Sequence, residues 1–273
     1  MKSRTVLITG TSSGIGKELT TQFAQKGFNI IVTARNPEAL SDLSFDNIRT
    51  VKLDVTSEDD IRSLTQYLDS EKISVDILIN NAGFGMMGPA AETSVEDYKK
   101  IFETNFFGQI KFTQAIIPFM PKSEESRIVN VGSVSGVLTT PFASPYCSSK
   151  AALNSFSDAL RMELKPLRIK VVSVQPGAIK SKFGKNAVEA TSKVLKSTSI
   201  YKEFEEVIVK RAMASQKMAM DVEVFVKKLI AAITRRNPPA LFRAGKLSFA
   251  APFLKKCFPE KIIDKVLMKI FGF

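Results

Sequence analysis

Thr9-Gly10-Thr11-Ser12-Ser13-Gly14-Ile15-Gly16 separates a short apolar run, residues 6–9, from a helical pattern over 16–25 that stops at Gly27. A strand, a glycine-rich turn and a helix, in that order, form a cradle for an anion. Gly10 lets the chain turn tightly, Gly14 leaves room for a pyrophosphate at the backbone, and Gly16 lets the helix pack close to the strand. The helix N-terminus adds N–H groups without helical partners and the positive end of its dipole. The spacing is G-x-x-x-G-x-G rather than G-x-G-x-x-G. A ligand-free glycine turn is the alternative, and the strand-then-helix setting argues against it.

Outward from this turn, apolar runs alternate with helical stretches. Residues 29–33, 50–53, 77–80, 128–131 and 169–175 read as strands, and 240–242 as a last one. Ser57-Glu58-Asp59-Asp60 opens a helix to about residue 69 with a capping-box pattern. Residues 94–120 are mostly helix, and 145–164 form another. Continuous apolar strands lie in parallel sheets covered on both faces. The crossovers between them are right-handed. The expectation is an α/β protein with one doubly wound parallel sheet, a single domain over 1–273. After Gly177 the pattern loosens: 178–199 is polar and aperiodic, the start of a mobile flap over 178–220 with room for short helices. Residues 201–213, 221–234, 248–256 and 260–271 look helical.

The 273 residues include no His, no Trp and only two Cys. That excludes a Ser-His-Asp triad, a Cys-His pair, a histidine metal site and a histidine pH switch. Cys147 and Cys257 are too few for a zinc cluster or a disulfide framework. No metal is expected, and a reducing, cytoplasmic setting fits. No apolar run reaches the length of a bilayer span. Met1-Lys2-Ser3-Arg4 before the first apolar run faintly mimics a signal peptide, but the run is too short and Gly10 breaks it. Proton transfer near neutral pH must come from Tyr, Lys, Asp or Glu.

Tyr146 and Lys150 stand four apart at a helix start, on one face. A phenol titrates near 10, and a neighbouring ammonium lowers that value. Ser133 follows a strand at the carboxyl edge of the sheet, where its hydroxyl can hold a carbonyl oxygen. Ser135 is its rival in the same loop. Asn105, among Phe102, Phe106 and Phe107, must find hydrogen-bond partners. The second strand ends Thr33-Ala34-Arg35-Asn36, without the acidic residue that selects NAD, and Arg35 suits a 2′-phosphate.

Thr9 to Gly16, Asn80-Asn81-Ala82-Gly83, Asn105, Ser133, Tyr146 with Lys150, and Pro176-Gly177 follow the order of motifs in the classical short-chain dehydrogenase/reductase family. The chain resembles that family over about residues 5–181. The resemblance implies a Rossmann fold and an NADP(H)-dependent oxidoreductase moving hydride between nicotinamide and a carbonyl or secondary alcohol. It implies that Tyr146 moves the proton, Lys150 tunes it and holds the ribose, and Ser133, thirteen residues before the tyrosine, orients the oxygen. Asn105 would kink its helix and hold a water. Cofactor contacts implied are Gly10, Ser12, Ser13, Gly14, Ile15, Gly16, Arg35, Asp54, Val55, Asn81, Ala82, Gly83, Tyr146, Lys150, Pro176, Gly177, Ile179 and Ser181. Asp54 would hold the adenine amino group or, equally, cap a turn. Ile179 and Ser181, where Thr is usual, would hold the carboxamide. The helices carrying Asn105 and Tyr146 often pair in this family, so a homodimer is expected. The long C-terminal extension resembles the hydroxysteroid and retinol dehydrogenase branch and implies a lipophilic substrate: steroid, retinoid or acyl lipid. The alternative is a non-catalytic NADP(H)-binding regulator or a membrane-surface scaffold.

Charge is unevenly placed. Residues 1–180 carry 20 Lys/Arg against 19 Asp/Glu and 181–273 carry 19 against 8, so +1 and +11 make the +12 of the chain. In the extension, 241–273, Lys261, Lys265 and Lys269 recur opposite Ile262, Ile263, Val266, Leu267 and Ile270 as a basic amphipathic helix. Such a helix lies peripherally on an anionic membrane or packs over the substrate mouth with its lysines in water. No nucleic-acid recognition motif appears.

Overall fold

The computed structural model describes residues 4–194, 198–216 and 219–272. Among the described residues seven strands run parallel: β1 (Thr5–Thr9), β2 (Asn29–Ala34), β3 (Ile48–Lys52), β4 (Ile77–Asn80), β5 (Arg127–Val131), β6 (Lys170–Pro176) and β7 (Leu241–Ala244). Their order in the sheet is β3-β2-β1-β4-β5-β6-β7. Successive side chains of a strand point to opposite faces, and both faces are dry. Val6 and Ile8 of β1 join Leu19 and Phe23 of α1 (Gly14–Gln25) and Phe225 and Leu229 of α8 (Val222–Ile233) in one core. Leu7, between them, faces a second core. There it meets Leu64 of α2 (Glu58–Ser70), Phe112 of α4 (Gly108–Ile116) and Leu160 of α5 (Ser144–Glu163). This is the doubly wound sheet that the uninterrupted apolar runs require. The chain reverses direction across the sheet between β1 and β4, so a crevice opens at their carboxyl ends.

The long helix read over 94–120 is broken. α3 (Val95–Phe102) and α4 are joined by a π turn, Glu103–Phe107. The stretch 178–199, aperiodic in sequence, contains α6 (Phe183–Ser192). Its buried positions are Gly184, Ala187 and Thr191, too small or too polar to show a hydrophobic period. α7 (Glu205–Met213) follows. β3 begins two residues earlier than the sequence suggests and β7 ends two later, because the strand pairings, not hydropathy, set their limits. Arg127 opens β5 fully buried, its guanidinium spread over four backbone carbonyls: those of Glu124, Ser126, Ile233 and Arg235.

The basic extension forms α9 (Ala250–Cys257) and α10 (Glu260–Phe271). Ala251, Ile263 and Leu267 pack on Leu138, in the loop after β5. Among the described residues no helix is long and apolar enough to cross a membrane, and no group of His, Cys, Asp and Glu forms a metal cluster.

Candidate active site

The turn after β1 is braced by the loop after β4. Asn81 Nδ2 donates to the carbonyls of Thr9 and Gly10, both at 3.0 Å. Thr9 Oγ1 accepts from the N–H groups of Asn81 (2.9 Å) and Ala82 (3.0 Å). A Cβ on Gly16 would lie 2.3 Å from the Gly10 oxygen and 2.5 Å from Asn81 Nδ2. Gly16 therefore admits the turn itself, rather than the strand as the sequence suggested. Gly14 has φ +57°, and a Cβ there would sit 3.3 Å from Ser181 Cβ. Its absence accommodates the backbone and the flap as well as any ligand. Ser13 caps α1 without a side-chain hydrogen bond, so no side chain of the cap occupies the N–H groups of the first turn. Ser12 is exposed beside it. This arrangement fits a pyrophosphate.

Arg35 stands exposed at the end of β2 with no ion-pair partner among the described residues. Asp54 Oδ1 accepts from Thr56 N (2.9 Å) and Thr56 Oγ1 (2.8 Å), which is the turn-capping arrangement. Val55 is buried beside Gly108.

Ser133, Tyr146, Lys150 and Asn105 converge at the carboxyl edge of β4 and β5, and all four are buried. Ser135 only donates its N–H to Ser133 Oγ, at 3.0 Å. Burial pushes the Tyr146 phenol up to about 12, against the opposing pulls of Ser133 and of Arg211. Lys150 does not lower it as the i, i+4 spacing suggested. Its Nζ is turned to the Val131 carbonyl at 2.9 Å, and burial depresses its own pKa to about 8. Asn105 lies in the π turn. It accepts from Phe84 N (3.0 Å) and donates to Phe84 O (3.0 Å) and Ser149 Oγ (3.1 Å). Ser149 in turn donates to the Tyr146 carbonyl at 2.9 Å. A Cβ on Gly83 would stand 2.9 Å from Asn105 Oδ1 and 3.4 Å from Lys150 Nζ, so these three meet at one point.

Pro176 and Gly177 end β6 beside β7. Beyond them, Gln216 grips the flap, donating to the Ile179 carbonyl (3.3 Å) and accepting from Ser181 N–H (2.9 Å). Ser181 Oγ accepts from Phe183 N–H at 3.3 Å, so its hydroxyl starts α6. The Phe183 ring sits 5.4 Å from that of Tyr146. Met86, Met87, Phe142, Tyr146 and Ile208 belong to one apolar cluster. Gln216, Phe183 and Arg211 carry no motif in the sequence and become visible only when the flap is folded.

Residues 4–192 match the short chain dehydrogenase family, and the chain belongs to it. It is an oxidoreductase of that family with a Rossmann fold and a nucleotide-binding site. Among its relatives, the uncharacterised oxidoreductase YbbO of Escherichia coli K12 is 31% identical over 97% of this chain and 94% of its own length. A 3-ketodihydrosphingosine reductase of Bacteroides thetaiotaomicron is 34% identical over 68% of each chain. The closed form of a serine dehydrogenase complexed with NADP+ superposes with TM-score 0.76 at 26% identity, covering 89% of this chain and 95% of that one.

Proposed function

We propose that the protein is an NADP(H)-dependent reductase of lipophilic carbonyl compounds, acting on the corresponding secondary alcohols in reverse. The observation behind this is the convergence of the buried Ser133, Tyr146, Lys150 and Asn105, with Tyr146 set in an apolar cluster. At pH 7 a phenol held at about 12 keeps its proton, which is the form a reduction consumes. Ser133 holds the substrate oxygen beside that proton and stabilises the developing alkoxide. Asn105, through Ser149, fixes the backbone that presents Tyr146. Lys150, protonated below about pH 8, would hold the ribose.

NADP(H), when bound, supplies or accepts the hydride. The turn from Gly10 to Gly16 would take its pyrophosphate, Arg35 its 2′-phosphate, and Asp54, Val55, Asn81, Ala82 and Gly83 the adenosine and ribose side. Pro176, Gly177, Ile179 and Ser181 would flank the nicotinamide. The unpaired Arg35, and the absence of an acidic residue at the end of β2, favour the phosphorylated cofactor. The lipid ketone named for the Bacteroides relative fits the apolar cluster.

NADPH fluorescence titration followed by turnover on a ketone and aldehyde panel tests the reading. Tyr146→Phe should keep NADPH binding and lose roughly 10²–10⁴ in rate. NADPH binding without turnover of any carbonyl, unaltered in Tyr146→Phe, would instead establish the non-catalytic regulator.

Peripheral membrane contact is a second reading with its own observation. Phe249, Phe253, Phe258, Ile262, Val266 and Ile270 are exposed on the extension, between the exposed Lys255, Lys256, Lys261, Lys265 and Lys269. An apolar face rimmed by lysines suits an anionic bilayer. Co-sedimentation with anionic vesicles that persists after deletion of 248–273 would sink it. The homodimer would form over the π turn with α4 and over α5, where Phe107 and Met162 are exposed; sedimentation equilibrium reads it directly.

A further inference from the structure

Arg211, on α7, is only 8% exposed. Its Nε donates to Thr140 Oγ1 at 2.7 Å, the one hydrogen bond it makes among the described residues. The Phe271 ring of α10 lies over the guanidinium, 5.6 Å from centroid to carbon. Among the described residues no carboxylate lies within ion-pair distance of it. The groups that act on its charge are the Tyr146 phenol and the Cys147 thiol, both neutral at pH 7.

Arg127 shows what a structural buried arginine looks like in this same fold: its guanidinium is spread over four carbonyls. Arg211 has the same five N–H donors and uses one. A buried charge without an ionic partner is costly, and removing it from water is repaid only by a group that completes it. A group that reaches the guanidinium lies near Tyr146, whose phenol acts on the same charge. Ile208 and Ala212, flanking Arg211 on α7, belong to the apolar cluster that holds Tyr146, Phe142 and Met86.

Building on the carbonyl-reductase reading above, we propose that Arg211 recognises a carboxylate on the substrate, so that the substrate is an amphiphilic oxo acid. Its carbonyl meets Tyr146 and Ser133, its apolar body lies on the cluster, and its carboxylate pairs with the free edge of the guanidinium. The planar fork of arginine matches a carboxylate bidentately, which a lysine does not. The reaction stays balanced as for any ketone: hydride from NADPH to the carbonyl carbon, proton from Tyr146 to the oxygen, and the acid group unchanged.

The test uses the full chain with NADPH, a medium-chain oxo acid and its methyl ester. The wild type should show kcat/KM at least about tenfold higher for the acid, the discrimination expected of a charged hydrogen bond left unmade by the ester. Arg211→Leu should bring the acid-to-ester ratio to about one. Arg211→Lys, which keeps the charge and loses the fork, should give an intermediate ratio and serves if the leucine variant does not fold. A second arm reads binding alone: calorimetry with decanoate against decanamide, expected tenfold tighter for decanoate and equal in Arg211→Leu. Decanoate selectivity without turnover of any ketone would uphold the anion site and overturn the reductase reading. Ketone turnover with an acid-to-ester ratio near one in the wild type would do the reverse. Tighter binding of decyl phosphate or decanesulfonate than of decanoate would overturn the carboxylate assignment.

Discussion

Substituting Met for Lys150 removes an ammonium that burial holds at about 8, against an ordinary 10.5. At about 1.4 kcal/mol per tenfold change in affinity for the proton, keeping Lys150 charged in the folded protein costs about 3 kcal/mol at pH 7. Met has a similar length and no charge, so the cost disappears. Against that, the Val131 carbonyl loses the donor it holds at 2.9 Å, worth about 1–2 kcal/mol. The net is a variant about 1–2 kcal/mol more stable at pH 7, melting about 2–6 °C higher. The pH dependence is more telling than the offset. Unfolded Lys150 keeps its proton up to about pH 10.5, whereas folded Lys150 releases it near 8. Between these values the unfolded state binds more protons, so wild-type stability rises with pH relative to the variant, by up to about 1.4 kcal/mol per pH unit. Tyr146 is shifted the other way, to about 12, so its contribution is present below 10 and lost above it. Both proteins share that contribution, and it cancels in the difference. Urea unfolding at pH 7, 8, 9 and 10 should show the advantage of the variant shrinking to nothing by about pH 10. A difference that stays flat, or a variant less stable than wild type at pH 7, would refute the reasoning.

Three other substitutions probe the frame. Gly16→Ala puts a methyl group into the Gly10 carbonyl and Asn81, and should cost about 2–3 kcal/mol in urea unfolding and at least tenfold in NADPH affinity; a wild-type midpoint and Kd would contradict it. Arg35→Asp should weaken NADPH about tenfold to a hundredfold more than NADH in fluorescence titration, and equal losses would remove the 2′-phosphate assignment. Arg127→Met leaves four carbonyls without their donor and should destabilise by about 3–5 kcal/mol, against an expectation of under 1 kcal/mol if the residue were merely surface charge.

The sheet was legible because its strands are dry on both faces: Val6, Leu7 and Ile8 are fully buried in succession, and only a helix-covered parallel sheet requires that. Ser133, Tyr146, Lys150 and Asn105 could be named from spacing, yet the direction in which Lys150 points could not. Its ammonium goes to a carbonyl of β5, a tertiary partner that no local pattern encodes. Arg211 was invisible for a related reason. Beside Lys210, in a segment rich in lysine, it reads as a solvated charge. Its burial depends on Thr140 and Phe271, 71 positions before it and 60 after it. Short helices in the flap were open to the sequence but the place of α6 was not, because a helix that packs through Gly184, Ala187 and Thr191 has no apolar stripe to count.

The π turn at Glu103–Phe107 has a consequence for the gene. A π turn accommodates one residue more than an α-helix over the same rise. An in-frame loss of a single codon there would let α3 and α4 fuse into a regular, still hydrogen-bonded helix, with no proline or charge exposed to betray it. Asn105 would be rotated by roughly 100° away from Phe84 and Ser149. Such an allele would keep a continuous helix yet lose the three hydrogen bonds of the buried Asn105, so the break in the helix, and not its helical content, is what the fold conserves for the site.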